Sequence, residues 1–194
     1  MEALKRHKVP WETWGTENRR SLSAFMEYAA NDRFHVRNNL LDGPLIVDVH
    51  TVVVRVYHES INGWMELFEE CQIFPNGIRI ERPQFDGVGE TIKRSETVLM
   101  ESAKRCLKEE LSFKDPSAYV LKECFRHEIR DPVVHDKWPD PEGRVLAVYN
   151  RYIHECSVSE NLYDESGYVE ETKDGRKIHF KWRPRPIAPF CFSE

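Results

Sequence analysis

The sequence predicts an α+β domain with a mixed β-sheet, and three observations carry that expectation. Residues 45–59, LIVDVHTVVVRVYHE, are rich in β-branched side chains and read as a long strand. Leu99, Ala103, Leu107 and Leu111 recur every four residues and make one apolar stripe on a helix. Between strand and helix lies a glycine-bearing turn, Phe85-Asp86-Gly87-Val88-Gly89-Glu90. Strand candidates flank the single strong helix on both sides, which is an α+β order.

The other elements follow along the chain. Residues 1–15 are polar and tryptophan-bearing, and read as an arm. Thr16 can cap a helix running to about Asn31, with Leu22, Phe25, Met26 and Ala29 at helical spacing. Asp42-Gly43-Pro44 is turn punctuation before the long strand. Asn62-Gly63 and Asn76-Gly77 are hairpin signals on either side of the returning strand WMELFEE. The central helix is expected from about Ser95 to Leu111, with Ser95 or Thr97 as its cap and Pro116 barring continuation. Residues 119–130 and 144–158 read as strands, joined by the Pro- and Asp-rich loop 131–143. Asp174-Gly175 marks the turn of a last hairpin. The whole reads as one domain, 1–194, with residues 1–40 as arm and N-terminal helix.

Composition narrows the function. The chain has 194 residues, 40% hydrophobic and 31% charged, enough for one domain with a real core. Its 28 Lys and Arg against 33 Asp and Glu give no basic surplus, so nucleic acid is not an expected partner. Five cysteines without a C-x-x-C pair suggest neither a zinc knuckle nor a disulfide framework. The N-terminus lacks a signal-peptide apolar run, and the longest apolar stretch, around residues 52–54, is too short to cross a bilayer. A soluble, cytoplasmic protein is expected. The eight histidines form no H-x-x-x-H or H-E-x-x-H, which argues against a zinc enzyme.

Residues 87–113, GVGETIKRSETVLMESAKRCLKEELSF, resemble the Nudix box, G-x5-E-x7-R-E-U-x-E-E-x-G-U with U a bulky aliphatic residue. Arg105 falls on the box arginine, Leu107 on U, Glu109 and Glu110 on the paired glutamates, and Phe113 on the closing bulky position. Glu96 lies near the earlier box glutamate, one residue too far from both Gly89 and Arg105. Two positions depart: Cys106 stands where the box has glutamate, and Ser112 where it has glycine. The resemblance implies a Nudix-like α/β/α sandwich, with the N-terminal helix as an addition. It implies metal-assisted hydrolysis of a diphosphate-linked small molecule. Mg²⁺ or Mn²⁺ would be held by Glu109 and Glu110, with Arg105 orienting them and Glu101 or Glu96 supplementing the missing carboxylate. The chemistry is sound: these ions prefer hard oxygen ligands, polarise a diphosphate and activate water.

Cys106 motivates an alternative, because a soft thiol is a poor partner for Mg²⁺. The fold could then serve metal-free isomerisation, cyclisation or elimination, using strand histidines and carboxylates as acids and bases. A third reading is a catalytically silent binding module. For substrate contact the candidates are Gly87 and Gly89, whose backbone permits close approach, His50 on the long strand, and His135 and Trp138 in the loop 131–143. Pro132, Pro139 and Pro141 restrict that loop, and Trp138 offers a flat apolar face. The basic segment 181–185 reads as a surface terminus. A small molecule is the expected partner, no membrane is implied, and a homodimer is compatible with the sequence.

Overall fold

A computed structural model describes residues 1–15, 21–30, 34–37, 43–92, 96, 98–123, 126–129, 132–134 and 144–192. In chain order its helices are α1 (Glu2–Arg6), α2 (Leu22–Ala30) and α3 (Leu99–Leu111). Its strands are β1 (His35–Arg37), β2 (Leu45–Ser60), β3 (Gly63–Ile73), β4 (Arg79–Asp86), β5 (Val88–Thr91) and β6 (Tyr119–Leu121). They continue with β7 (Arg126–Ile129), β8 (Val133–Val134), β9 (Val145–Val158), β10 (Tyr168–Glu171) and β11 (Lys177–Arg185). The chain divides into two compact units. One is Met1–Thr51, Thr91–Thr97 and His127–Arg151; the other is Val52–Glu90, Val98–Arg126 and Tyr152–Glu194.

In the first unit, β1 pairs antiparallel with the start of β2, and β8 with the start of β9. Leu45, Val47 and Val49 alternate along β2 and bury one face, as period-2 patterning requires. Phe25 of α2 joins that core together with Leu4, Val9 and Trp14. Residues 1–15 are therefore not the polar arm the sequence suggests. Leu4, Val9 and Trp14 are drawn inward, with Ala3 and Trp11 packed against that core, and α1 is held in place by them. Helix α2 begins at Leu22, with the Ser21 hydroxyl accepting from Ala24 N–H; Thr16 and Asn31 lie outside the described residues.

In the second unit the sheet order is β10-β11-β3-β2-β9-β6, with β4 on β3 and β5 on β2. Pairs β10–β11, β11–β3, β2–β3 and β6–β9 are antiparallel. Strands β2 and β9 run the same way, since Tyr57 reaches Glu155 and His58 reaches Val158. The sheet is mixed, and the architecture is the α+β one the sequence predicts. All three hairpin turns form where Asn-Gly and Asp-Gly place them: Gly63, Gly77 and Gly175 have positive φ.

Helix α3 buries Ala103, Cys106, Leu107 and Leu111, the face of the apolar stripe. It starts later than expected, at Leu99. The extended Val98 takes the cap position with no side-chain cap, and Ser95 and Thr97 lie outside the described residues. The expected strand 119–130 is broken into β6 and β7, and residues 124–125 lie outside the described ones.

Candidate active site at the box helix

Three of the box positions, 106, 109 and 110, sit on α3 in different environments. Cys106 is fully buried, and burial pushes its thiol well above the ordinary value, helped by the nearby carboxylates of Glu110, Glu90 and Glu109. Glu109 points outward and accepts a hydrogen bond from Arg105 at 3.0 Å. Glu110 lies between these extremes, half-buried. Glu101 is exposed and pairs with Lys104 at 2.8 Å. It is taken up by a surface ion pair of little energetic weight.

Glu110 is the electrostatic focus. Its carboxyl is strongly raised: burial comes first, then a hydrogen bond to Glu170, then the negative charges of Glu170, Glu90 and Glu109. Like charges this close cannot all ionise, so the proton stays on one of them. The buried Oε2 of Glu170 has no hydrogen-bond partner in the protein.

Glu69, on β3, adds to this negative region. Burial raises its carboxyl, and the charge of Glu170 acts in the same direction. Against these work Arg82 at 3.4 Å and a 2.8 Å hydrogen bond from Gln72, which Arg176 braces from behind at 3.2 Å. The sequence reading missed Glu69, Glu90 and Glu170. Glu90 stands in the glycine turn and is adjacent to a motif, so its position was available. Glu170 lies 60 residues beyond Glu110 and carries no local signal; only the fold brings it in. Among the described residues, no three His, Cys, Asp or Glu side chains are already arranged to hold a metal ion.

Gly87 is essential to this geometry, and for a packing reason. Its φ is +82°, and a Cβ there would lie 2.1 Å from the carbonyl oxygen of Val54. The turn between β4 and β5 can therefore press onto β2 only with glycine. A Cβ on Gly89 would meet Val52 O at an ordinary 3.5 Å. Glu96 and His50 belong to the other unit. His135 and Trp138 lie outside the described residues, as does most of the loop 131–143.

Strand order, glycine turn, box helix and mixed sheet now stand together. The fold is α+β with a mixed sheet. No protein-family model matches the chain, and no curated protein does. Among solved structures, the chain is similar to a NUDIX hydrolase from Listeria monocytogenes, at 15% identity and TM-score 0.42, over 69% of this chain and 75% of that one. It is also similar to the NUDIX domain of Shewanella oneidensis NrtR, solved with ADP ribose, at 14% identity and TM-score 0.42, over 82% of each chain. A third likeness is the Ap4A hydrolase of C. elegans, at 12% identity and TM-score 0.36, over 69% and 77%.

Elsewhere in the second unit, the basic segment near the C-terminus is not the loose surface terminus that the sequence suggests. It is the end of β11. Arg183 spans Glu66 and Asp86, and Arg185 reaches Glu66 at 2.9 Å. These arginines neutralise a buried carboxylate, which would otherwise be costly to bury. His58 and His154 are structural in the same sense. His58 stacks on Tyr163, and the Nδ1 of His154 lies 3.1 Å from Lys122 O. No helix among the described residues is long and apolar enough to cross a membrane.

Proposed function

We propose that this protein is a metal-assisted hydrolase of a diphosphate-linked small molecule. One observation supports the reading above the others: Glu110 lies beside Glu170, whose buried Oε2 has no hydrogen-bond partner in the protein, and further carboxylates surround them. The donor set fits Mg²⁺ or Mn²⁺, because every group in it is a hard oxygen. Mg²⁺ commonly keeps several waters and takes only one or two carboxylates from the protein, so a converged cage of three is not required. Glu110 and Glu170 would hold the ion, with Glu109 at the rim. Glu170 then supplies the carboxylate that Cys106 does not.

Each residue has a task in this reading. A metal held by these residues would supply Lewis-acid polarisation of a diphosphate and a more acidic water. Glu110 must give up its proton for the site to fill. Arg105 fixes Glu109 by their 3.0 Å hydrogen bond. Glu69 and its Gln72 and Arg176 support keep the far wall of the cluster in place. Glu101, paired with Lys104, and Glu96, in the other unit, have no part. Cys106 is a packing residue of the helix.

One feature favours the metal-free alternative: a carboxyl pushed up by burial and by the charges of Glu170, Glu90 and Glu109 is suited to act as a general acid. The experiment that separates the two is cleavage of a set of dinucleoside polyphosphates and nucleoside diphosphate sugars by the purified protein, with Mg²⁺, with Mn²⁺ and with EDTA. Activity should vanish in EDTA, and Glu110→Gln and Glu170→Gln should each lower it by about 100-fold or more. Cleavage that survives EDTA and both substitutions would refute the assignment.

A further inference from the structure

The connection from β9 to β10, residues 159–167, folds back onto the sheet of the second unit around one buried histidine. His58 of β2 lies beneath it, its ring almost wholly covered. Nδ1 of that ring is 3.3 Å from the carbonyl oxygen of Val158, at the end of β9. Nε2 is 3.3 Å from Oε2 of Glu160, in the connection. Tyr163, from the same connection, stacks on the imidazole with 4.0 Å between centroids and 17° between planes. Two further contacts fasten the segment. The indole N–H of Trp182, on β11, donates to Asp164 O at 2.9 Å, and the Tyr168 hydroxyl donates to Leu162 O.

We propose that His58 and Glu160 form a pH-sensitive latch, closed by the imidazolium, which fastens residues 159–167 to the sheet and releases them when the ring loses its proton. The oxygens on either side of the ring impose this. A carbonyl oxygen only accepts, so Nδ1 must carry hydrogen to bond Val158. An ionised carboxylate only accepts, so Nε2 must carry one as well to be drawn to Glu160. A neutral imidazole has a single N–H. With that hydrogen kept at Nδ1 for Val158, the Nε2 lone pair faces the lone pairs of Glu160 and the contact turns repulsive. The stack works in the same direction, because the Tyr163 face attracts a charged ring more than a neutral one.

The surroundings of the ring leave Glu160 in control. Across from His58 on β3 is Met65, and from β11 the Trp182 ring stands 6.4 Å away. From β9 the facing group is a backbone carbonyl. Glu59, next along β2, points to the opposite face of the sheet. Among the described residues, Glu160 is the one charged side chain paired with His58. The Glu160 side chain is 84% exposed, so its place is set by this pairing and not by packing. The imidazolium prevails below the range in which imidazoles titrate, so the latch is shut in acid and opens as pH rises through that range. None of these groups belongs to the carboxylate cluster beside α3, and the latch stands without the hydrolase reading.

The test is amide hydrogen exchange by NMR from about pH 5.5 to about pH 8.5, corrected for the intrinsic pH dependence of exchange, with the His58 ring nitrogens followed in the same samples. The Leu162 and Tyr163 amides, bonded to Ser159 O, report on the connection. The Gly175 amide, bonded to Thr172 O in the β10–β11 turn, is the control. Both His58 nitrogens should carry hydrogen at the acid end. Protection of Leu162 and Tyr163 should fall about tenfold as His58 titrates, with Gly175 unmoved. Glu160→Gln, at an exposed position, leaves the fold intact. Its amide both donates and accepts, so it holds the ring in either state and the pH dependence should vanish. A His58 ring already neutral at the acid end would overturn the latch, as would protection in the parent that ignores pH. So would the same pH dependence in Glu160→Gln, or a parallel loss of protection at Gly175. The measurement uses neither metal nor substrate, so its outcome leaves the metal-dependent hydrolysis untouched.

Discussion

Ser112 closes the box helix at φ 60° and ψ 25°, a left-handed conformation in which a Cβ is crowded. The Phe113 N–H reaches back to the Leu107 carbonyl from there, at 3.2 Å, and the Phe113 ring is buried. This is the glycine-favouring helix end, occupied here by serine. Ser112→Gly should raise stability by about 0.5–1 kcal/mol, the relief of the left-handed backbone less the added freedom of the unfolded chain. Thermal melting of the two proteins checks it; an unchanged or lower Tm would mean that the serine side chain contributes what the backbone loses. The same scale explains where the box spacing misleads. Positions 106, 109 and 110 lie within one helical turn, yet Cys106 faces inward, Glu109 faces solvent and Glu110 sits at the border. At about 100° of rotation per residue, Glu109 lies about 60° to one side of Cys106 and Glu110 about 40° to the other, enough to separate a packing thiol from an ion-pairing carboxylate.

At the level of elements, the turn between β4 and β5 sets the site's geometry more than any side chain in it. Gly87→Ala brings a Cβ within 2.1 Å of the Val54 carbonyl and forces an alanine to φ +82°. A destabilisation of about 3 kcal/mol or more is expected by denaturant melts, because backbone and not a flexible side chain is in the way. Gly89→Ala, with ordinary clearance, should cost far less; equal effects would mean that β5 yields. Much of this arrangement was legible. Asn62-Gly63, Asn76-Gly77 and Asp174-Gly175 announce their turns by local chemistry, and the α3 stripe announces its buried face. Two things were not legible, for one shared reason. Glu170 joins Glu110 through the β10–β11 hairpin, and Leu4, Val9 and Trp14 join a core built by β2 and β9. Contacts between residues far apart in sequence leave no period to read. The start of α3 was missed for another reason: Val98, a poor cap, takes the cap position.

For the molecule as a whole, the buried ionisable groups set how stability responds to pH. Glu110 and Glu69 are raised above 4.5 by burial and neighbouring charge. A carboxyl raised in the folded state opposes folding once the unfolded chain ionises, so stability falls as pH climbs above 4.5. His154 works from the other side. Burial lowers it below 6.5, so its contribution is complete above 6.5 and is lost as pH falls through that value. Without divalent cations, Tm should therefore decline on the alkaline side, and Glu110→Gln should flatten that decline, as read by melts from pH 5 to 9. A variant with the same slope as the parent would show that the cluster ionises freely. The described cysteines are all uncharged passengers in this balance. Cys71, Cys106, Cys156 and Cys191 are unbridged, and burial raises each thiol above its ordinary value. Thiolate, not thiol, is what peroxides and alkylating agents attack. Where the box has a metal-seeking carboxylate, this chain has placed a sulfur that oxidative stress does not reach, so the box helix can pass through such stress without acquiring a sulfinate at its centre.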